Sequence, residues 1–182
     1  LDVQPEAYAV GFLAVEGIHE ALSVFKHARQ MPGLVIRAFE YLQRPCLEAV
    51  IKHRGAAEPF EATYGAYILV EVEGADESDA RNRLEGWLER SFEDGVVLDG
   101  VVGQSSKDYE NLWTLREGIS ESLTHEAFLY KYDVSMNIRD LGKFEDALCA
   151  RLTELSPELR VYLFGHIGDG NLHVNILKPD SM

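Results

Sequence analysis

A β-forming run, a stretch with helical periodicity and a second β-forming run recur three times along this chain, and that repetition narrows the folds open to it. "AYAVGFLAVE" (7–16) precedes "GIHEALSVFKHARQ", where Ala21, Leu22, Phe25 and Ala28 fall on one helical stripe; Pro32 and Gly33 then punctuate before "LVIRAFEYL". "GAYILVEVEG" (65–74) leads into "DESDARNRLEGWLERSF", a helix with acidic residues near its start, and then "GVVLDGVVG". The third copy runs "AFLYKYDVSM", "DLGKFEDALCARL", "RVYLFGHI". Such units pack crossover helices on a sheet face through right-handed connections. The expected fold class is α+β: tandem ferredoxin-like βαβ units in a mostly antiparallel sheet, with helices mainly on one face. Between the copies, 42–64 reads as a short helix and loop, and 105–123 as one longer helix. No linker divides the chain, so a single domain over 1–182 is expected, and the opening "LDVQPEAYAV" reads as a continuation of something upstream.

A hydrophobic content of 46% over 182 residues is enough to bury such a core. The formal charge of −14 repels phosphate backbones and anionic membranes, which argues against nucleic-acid binding. No apolar run approaches the roughly 20 residues of a transmembrane segment. Cys46 and Cys149 lack a CxxC context and read as buried thiols in a reducing compartment; the expected setting is cytoplasmic, of bacterial type, with a peripheral position at a membrane as the alternative.

"FGHIGDGNLHVNI" (164–176) places two histidines around a Gly-Asp-Gly turn. A two-residue loop at Asp169-Gly170 would set His166 opposite His173, with Cβ atoms roughly 4.5–5.5 Å apart. Both imidazoles could then reach one cation at about 2.0–2.1 Å per nitrogen. Asn175 would share their face, while Leu172, Val174 and Ile176 turn to the core. The plainer alternative is a pair of polar-face residues, since a catalytic zinc normally takes three protein ligands. Phosphate cradling by Gly165, Gly168 and Gly170 is the weaker idea, because a strand and not a helix follows.

Arg116 and Ser120 fall within the apolar stripe Tyr109, Leu112, Trp113, Ile119, Leu123. A guanidinium there needs an anionic partner: an internal carboxylate, or a carboxylate-bearing ligand held by its fork. On "FLYKYDVSM", Lys131 and Asp133 share a face, either as a solvent-facing pair or with Lys131 as a second cation for the same anion. His19, His27, His53 and His125 have no supporting pattern and are taken as structural or surface residues.

"LWTLREGISES", "YKYDVSM" and above all "GHIGDGNLHVNI", in this order, resemble the C-terminal, substrate-binding domain of the flavin-linked oxidases. That group includes D-2-hydroxyglutarate dehydrogenase, flavin D-lactate dehydrogenase and the glycolate oxidase D subunit. "VIRAFEYL" fits its first unit, so the resemblance spans nearly the whole chain. It implies that His166 and His173 bind a divalent ion, usually zinc. It implies that Arg116 and Lys131 hold a substrate carboxylate, and that Ser120 and Asn175 complete the contacts; the family more often has Thr at the Ser120 position. FAD would be held mainly by a preceding domain, and a third metal ligand and a catalytic base would lie beyond Met182. The expected activity is oxidation of a D-2-hydroxy acid to the 2-oxo acid, with electrons passing to an electron-transfer protein or quinone. This stretch alone would be inactive. A second reading from another class is a non-catalytic ferredoxin-like module for metabolite binding or assembly. A relative without metal, in which both histidines touch substrate or flavin, is a third. An exposed sheet edge would favour pairing of two copies.

Overall fold

The computed structural model describes residues 7–126 and 128–178; the opening residues and the end at Met182 lie outside the described residues. Seven strands form one sheet in the order β4-β1-β3-β2-β6-β7-β5. They are β1 (Ala7–Val15), β2 (Val35–Gln43), β3 (Ala66–Gly74), β4 (Asp99–Val102), β5 (Leu129–Ser135), β6 (Arg160–Gly165) and β7 (Asn171–Leu177). All six neighbouring pairs are antiparallel. Six helices accompany them: α1 (Ile18–Gln30), α2 (Arg44–Arg54), α3 (Glu77–Glu93), α4 (Ser106–Glu117), α5 (Ile119–Thr124) and α6 (Leu141–Leu155). The first four strands with α1 and α3 make one ferredoxin-like unit, and β5, α6, β6 and β7 repeat its strand–helix–strand–strand part. The expected class is what the chain adopts.

The crossover helices share one face. Gly11 of β1 lies 3.4 Å from Leu84 of α3 when given a Cβ, Phe39 of β2 meets Phe25 of α1 at 4.8 Å between ring centres, and Tyr41 bonds Glu145 of α6. The connectors α2, α4 and α5 cover part of the second face, where Tyr8 meets Tyr109 and Trp113 donates to Glu71. Burial on both faces explains why β1 and β3 read as continuous apolar runs. Edge strand β5 is partly or fully exposed throughout, with Tyr130 and Tyr132 in solvent beside Phe128.

Local signals set the helix ends. Asp76 and Ser105 accept from the amides of Asp79 and Asp108, capping α3 and α4. Pro45 opens α2, and Gly55 closes it in the left-handed region. Two expectations are corrected. "GVVLDGVVG" yields only the four-residue β4. The single helix over 105–123 is two helices meeting at Gly118, where a Cβ would come within 2.7 Å of the Thr114 carbonyl.

Candidate active site

The reversal between β6 and β7 takes more than two residues. Ile167–Asp169 form a 3-10 turn, the amides of Asp169 and Asn171 both donate to the His166 carbonyl, and Gly170 sits at φ 73°. Its glycine has two causes: that left-handed backbone, and the Met136 carbonyl oxygen, which a Cβ would meet at 2.1 Å. Gly165 is required for another reason, since a Cβ there would lie 2.8 Å from the Cα of Leu172. These glycines shape a turn and a close strand approach.

The turn corrects the expected register. His173 stands opposite Phe164, two residues from the predicted pairing with His166, which lies beyond the end of β6. A two-residue slip preserves the face, because side chains alternate with period 2. The rings of His166 and His173 therefore still meet edge to face, with centres 5.5 Å apart.

Each ring is held through Nδ1. His166 Nδ1 lies 2.6 Å from Glu40 Oε1, and His173 Nδ1 bonds Asp133 Oδ1 across the β5–β7 ladder. Both Nε2 atoms are without a hydrogen bond among the described residues. A ligating histidine commonly donates its other N–H to a carboxylate in this way, which fixes the tautomer and leaves a lone pair for a cation. The pair offers two such nitrogen donors, and among the described residues no group of three His, Cys, Asp or Glu side chains is placed to hold an ion.

Arg116 is buried at 7% exposure, and its Nε donates to Glu40 Oε2 at 2.9 Å, so the internal-carboxylate alternative is realised. That bond uses only Nε. Nη1 and Nη2 make no hydrogen bond among the described residues, and the guanidinium carbon lies 4.9 Å from the Phe164 ring centre. Phe164 in turn packs on His173 at 4.9 Å. One apolar ring thus spaces the cation from the imidazole.

Lys131 lies directly across the β5–β7 ladder from Asn175, one step along from the Asp133–His173 pair. Asn175 is 4% exposed and its amide bonds nothing among the described residues. Lys131 is exposed and forms no ion pair with Asp133, which is taken by His173. Arg116, His166, His173, Lys131 and Asn175 are thereby brought to one face of the sheet. Ser120 is not tied to them: the break at Gly118 leaves it exposed, and Ser122 is the hydroxyl that turns inward. An open cleft of about 690 Å³ adjoins the cluster, with Glu40 and His166 in one wall beside Arg29 and Arg37; Arg116, His173, Lys131 and Asn175 lie outside its lining. The sequence reading overlooked Glu40, although a lone acid within "AFEYL" was its visible signal. The four other histidines pair locally, His19 with Asp146, His27 with Ser91, and His53 with Glu126 and the His125 ring.

The profile of the family described as "FAD linked oxidases, C-terminal domain" matches residues 4–181, and the chain belongs to that family. Among curated proteins it is 41% identical over 149 residues to the D-2-hydroxyglutarate dehydrogenase of Stutzerimonas stutzeri, covering 82% of this chain and 32% of that protein. It is 35% identical to the mitochondrial D-2-hydroxyglutarate dehydrogenase of Arabidopsis thaliana, covering 95% of this chain and 31% of that protein. The chain therefore spans about a third of the length of these relatives. The solved structure of an alkyldihydroxyacetonephosphate synthase superposes with a TM-score of 0.51 at 10% identity, over 98% of this chain and 37% of that one; this likeness concerns the fold alone. No helix among the described residues is long and apolar enough to cross a membrane.

Proposed function

We propose that this chain is the substrate-binding part of an FAD-dependent dehydrogenase that oxidises a D-2-hydroxy acid of the 2-hydroxyglutarate, lactate or glycolate class to its 2-oxo acid. The observation that carries the reading is the buried guanidinium of Arg116, held through Nε alone, with both terminal nitrogens left for an incoming carboxylate. A bidentate fork binds and orients such a group at once. Lys131 adds a second positive charge, and the side-chain amide of Asn175, which bonds nothing among the described residues, a donor and an acceptor. Ser120 is the softer member, needing a substrate that reaches the α5 surface.

His166 and His173, each with its proton drawn to Nδ1 by a carboxylate, present Nε2 to a divalent cation, zinc by preference. When bound, that ion would polarise the 2-hydroxyl and ease loss of its proton to a base outside the described residues, and FAD would supply the hydride-accepting chemistry. The flavin is assigned to another domain, and the electron acceptor to an electron-transfer protein or a quinone. The exposed β5 edge supports pairing of two copies, and the two free cysteines fit a cytoplasmic setting.

The test is anaerobic addition of D-2-hydroxyglutarate, D-lactate and glycolate to the complete flavoprotein, followed at the flavin absorbance. Bleaching by one of the D-acids, lost after chelation and restored by zinc, is the expected result. Indifference of the flavin to all three would leave the metabolite-binding or assembly reading, and bleaching untouched by chelation would leave the metal-free one.

A further inference from the structure

Glu40 is 4% exposed in the middle of a largely apolar strand, whose own cation, Arg37, pairs with Glu71. Removing a carboxylate from water is costly unless its oxygens are well satisfied. An arginine used only for structure would normally take both oxygens with its fork. Here the oxygens are divided: Oε2 accepts from Arg116 Nε at 2.9 Å, and Oε1 accepts from His166 Nδ1 at 2.6 Å. Each half of the proposed site therefore rests on the same carboxylate.

We propose that Glu40 is a positioning residue that sets both halves at once, a proposal resting on the reading given above. Its Oε1 keeps the His166 proton on Nδ1, so that Nε2 carries the lone pair. Its Oε2 engages Arg116 at Nε, so that the Nη edge stays open to a substrate carboxylate. A glutamine cannot do both. A carboxamide has one accepting oxygen, and its NH₂ would face whichever of the two donors that oxygen does not serve. Glu40→Gln must therefore loosen either the imidazole or the guanidinium, although its shape and volume match.

The test uses the complete FAD-loaded protein with histidine-selective ¹⁵N labelling, treated with chelator, the His166 signal being assigned from His166→Gln. Two-bond ¹H–¹⁵N correlations are expected to show the Nδ1–H form for His166, with population moving to Nε2–H in Glu40→Gln. Titration with Co²⁺ should then show at least about tenfold weaker binding in Glu40→Gln, and KM for D-2-hydroxyglutarate should rise while Glu48→Gln, an exposed control on α2, changes neither. An Nε2–H form of His166 in the unaltered protein overturns the proposal without any variant having to fold. So does a Glu40→Gln protein with Co²⁺ affinity and KM both within twofold of the parent. A tautomer that moves in Glu40→Gln although the parent binds no Co²⁺ would uphold Glu40 and remove the metal from the proposed function.

Discussion

The guanidinium of Arg116 lies 4.9 Å from the centre of the Phe164 ring, so a cation that would otherwise be costly to bury has an aromatic face on one side and Glu40 at its Nε edge. That cradle makes the two residues interdependent, and their energetics can be separated by substitution.

Arg116→Met removes one of the two partners of a buried carboxylate and is expected to destabilise the fold by about 3–5 kcal/mol. Adding Glu40→Leu should recover most of that loss, because no uncompensated charge remains. Urea unfolding of the single and double variants measures the difference. On the proposed function, Arg116→Met in the complete flavoprotein should also cut kcat/KM by about 10- to 100-fold, the effect of a charge-assisted bond left unmade. Unchanged kinetics would remove Arg116 from the site.

For the proposed cation site, His173→Ala should raise the zinc dissociation constant by at least ~tenfold, equivalent to ~1.4 kcal/mol. His19→Ala, which removes an exposed ring paired only with Asp146, should leave it unaltered. Competition with a chromophoric chelator reads both.

Gly170→Ala and Gly55→Ala separate backbone strain from collision. Gly55 lies at φ 64° with nothing within 4 Å of a Cβ, so its replacement should cost about 1 kcal/mol. Gly170 adds contact with the Met136 carbonyl, and its replacement should cost upwards of about 2 kcal/mol. Equal losses in thermal unfolding would show that the turn yields freely.

Burial raises the Glu145 carboxyl above its ordinary range, against the opposing donations from Gln43 and Tyr41. A raised carboxyl binds its proton more tightly folded than unfolded, so it favours the fold at low pH and loses that advantage as pH climbs through the raised value. Glu145→Gln does not titrate. Its melting temperature relative to the parent should therefore improve between about pH 4 and about pH 8, measured by scanning calorimetry. A constant difference would show that Glu145 ionises freely in the fold.

Strand–helix–strand periodicity was legible because β1 and β3 are buried on both faces and α1 and α3 carry one apolar stripe each. The meeting of the two histidines was legible too, although its register was not. Alternation along a strand survives a slip of two, whereas the 3-10 turn that causes the slip depends on Gly170 packing against Met136, a long-range contact with no local pattern. Ser120 misled for the converse reason. A helical wheel carries Arg116 and Ser120 together, whereas the chain divides into α4 and α5 at Gly118, with Arg116 buried and Ser120 exposed. Glu40 was visible as a residue and invisible as a hub, since its two partners come from α4 and the β6–β7 turn.

Among the described residues strand β5 has one neighbour, β7, and an unpaired outer margin flanked by the exposed rings of Phe128, Tyr130 and Tyr132. Open backbone amides beside greasy aromatics are the usual seed of precipitation. Produced as a separate piece, this stretch should therefore lose solubility with rising concentration, and a lysine at Tyr132 would be the first remedy to try at the bench.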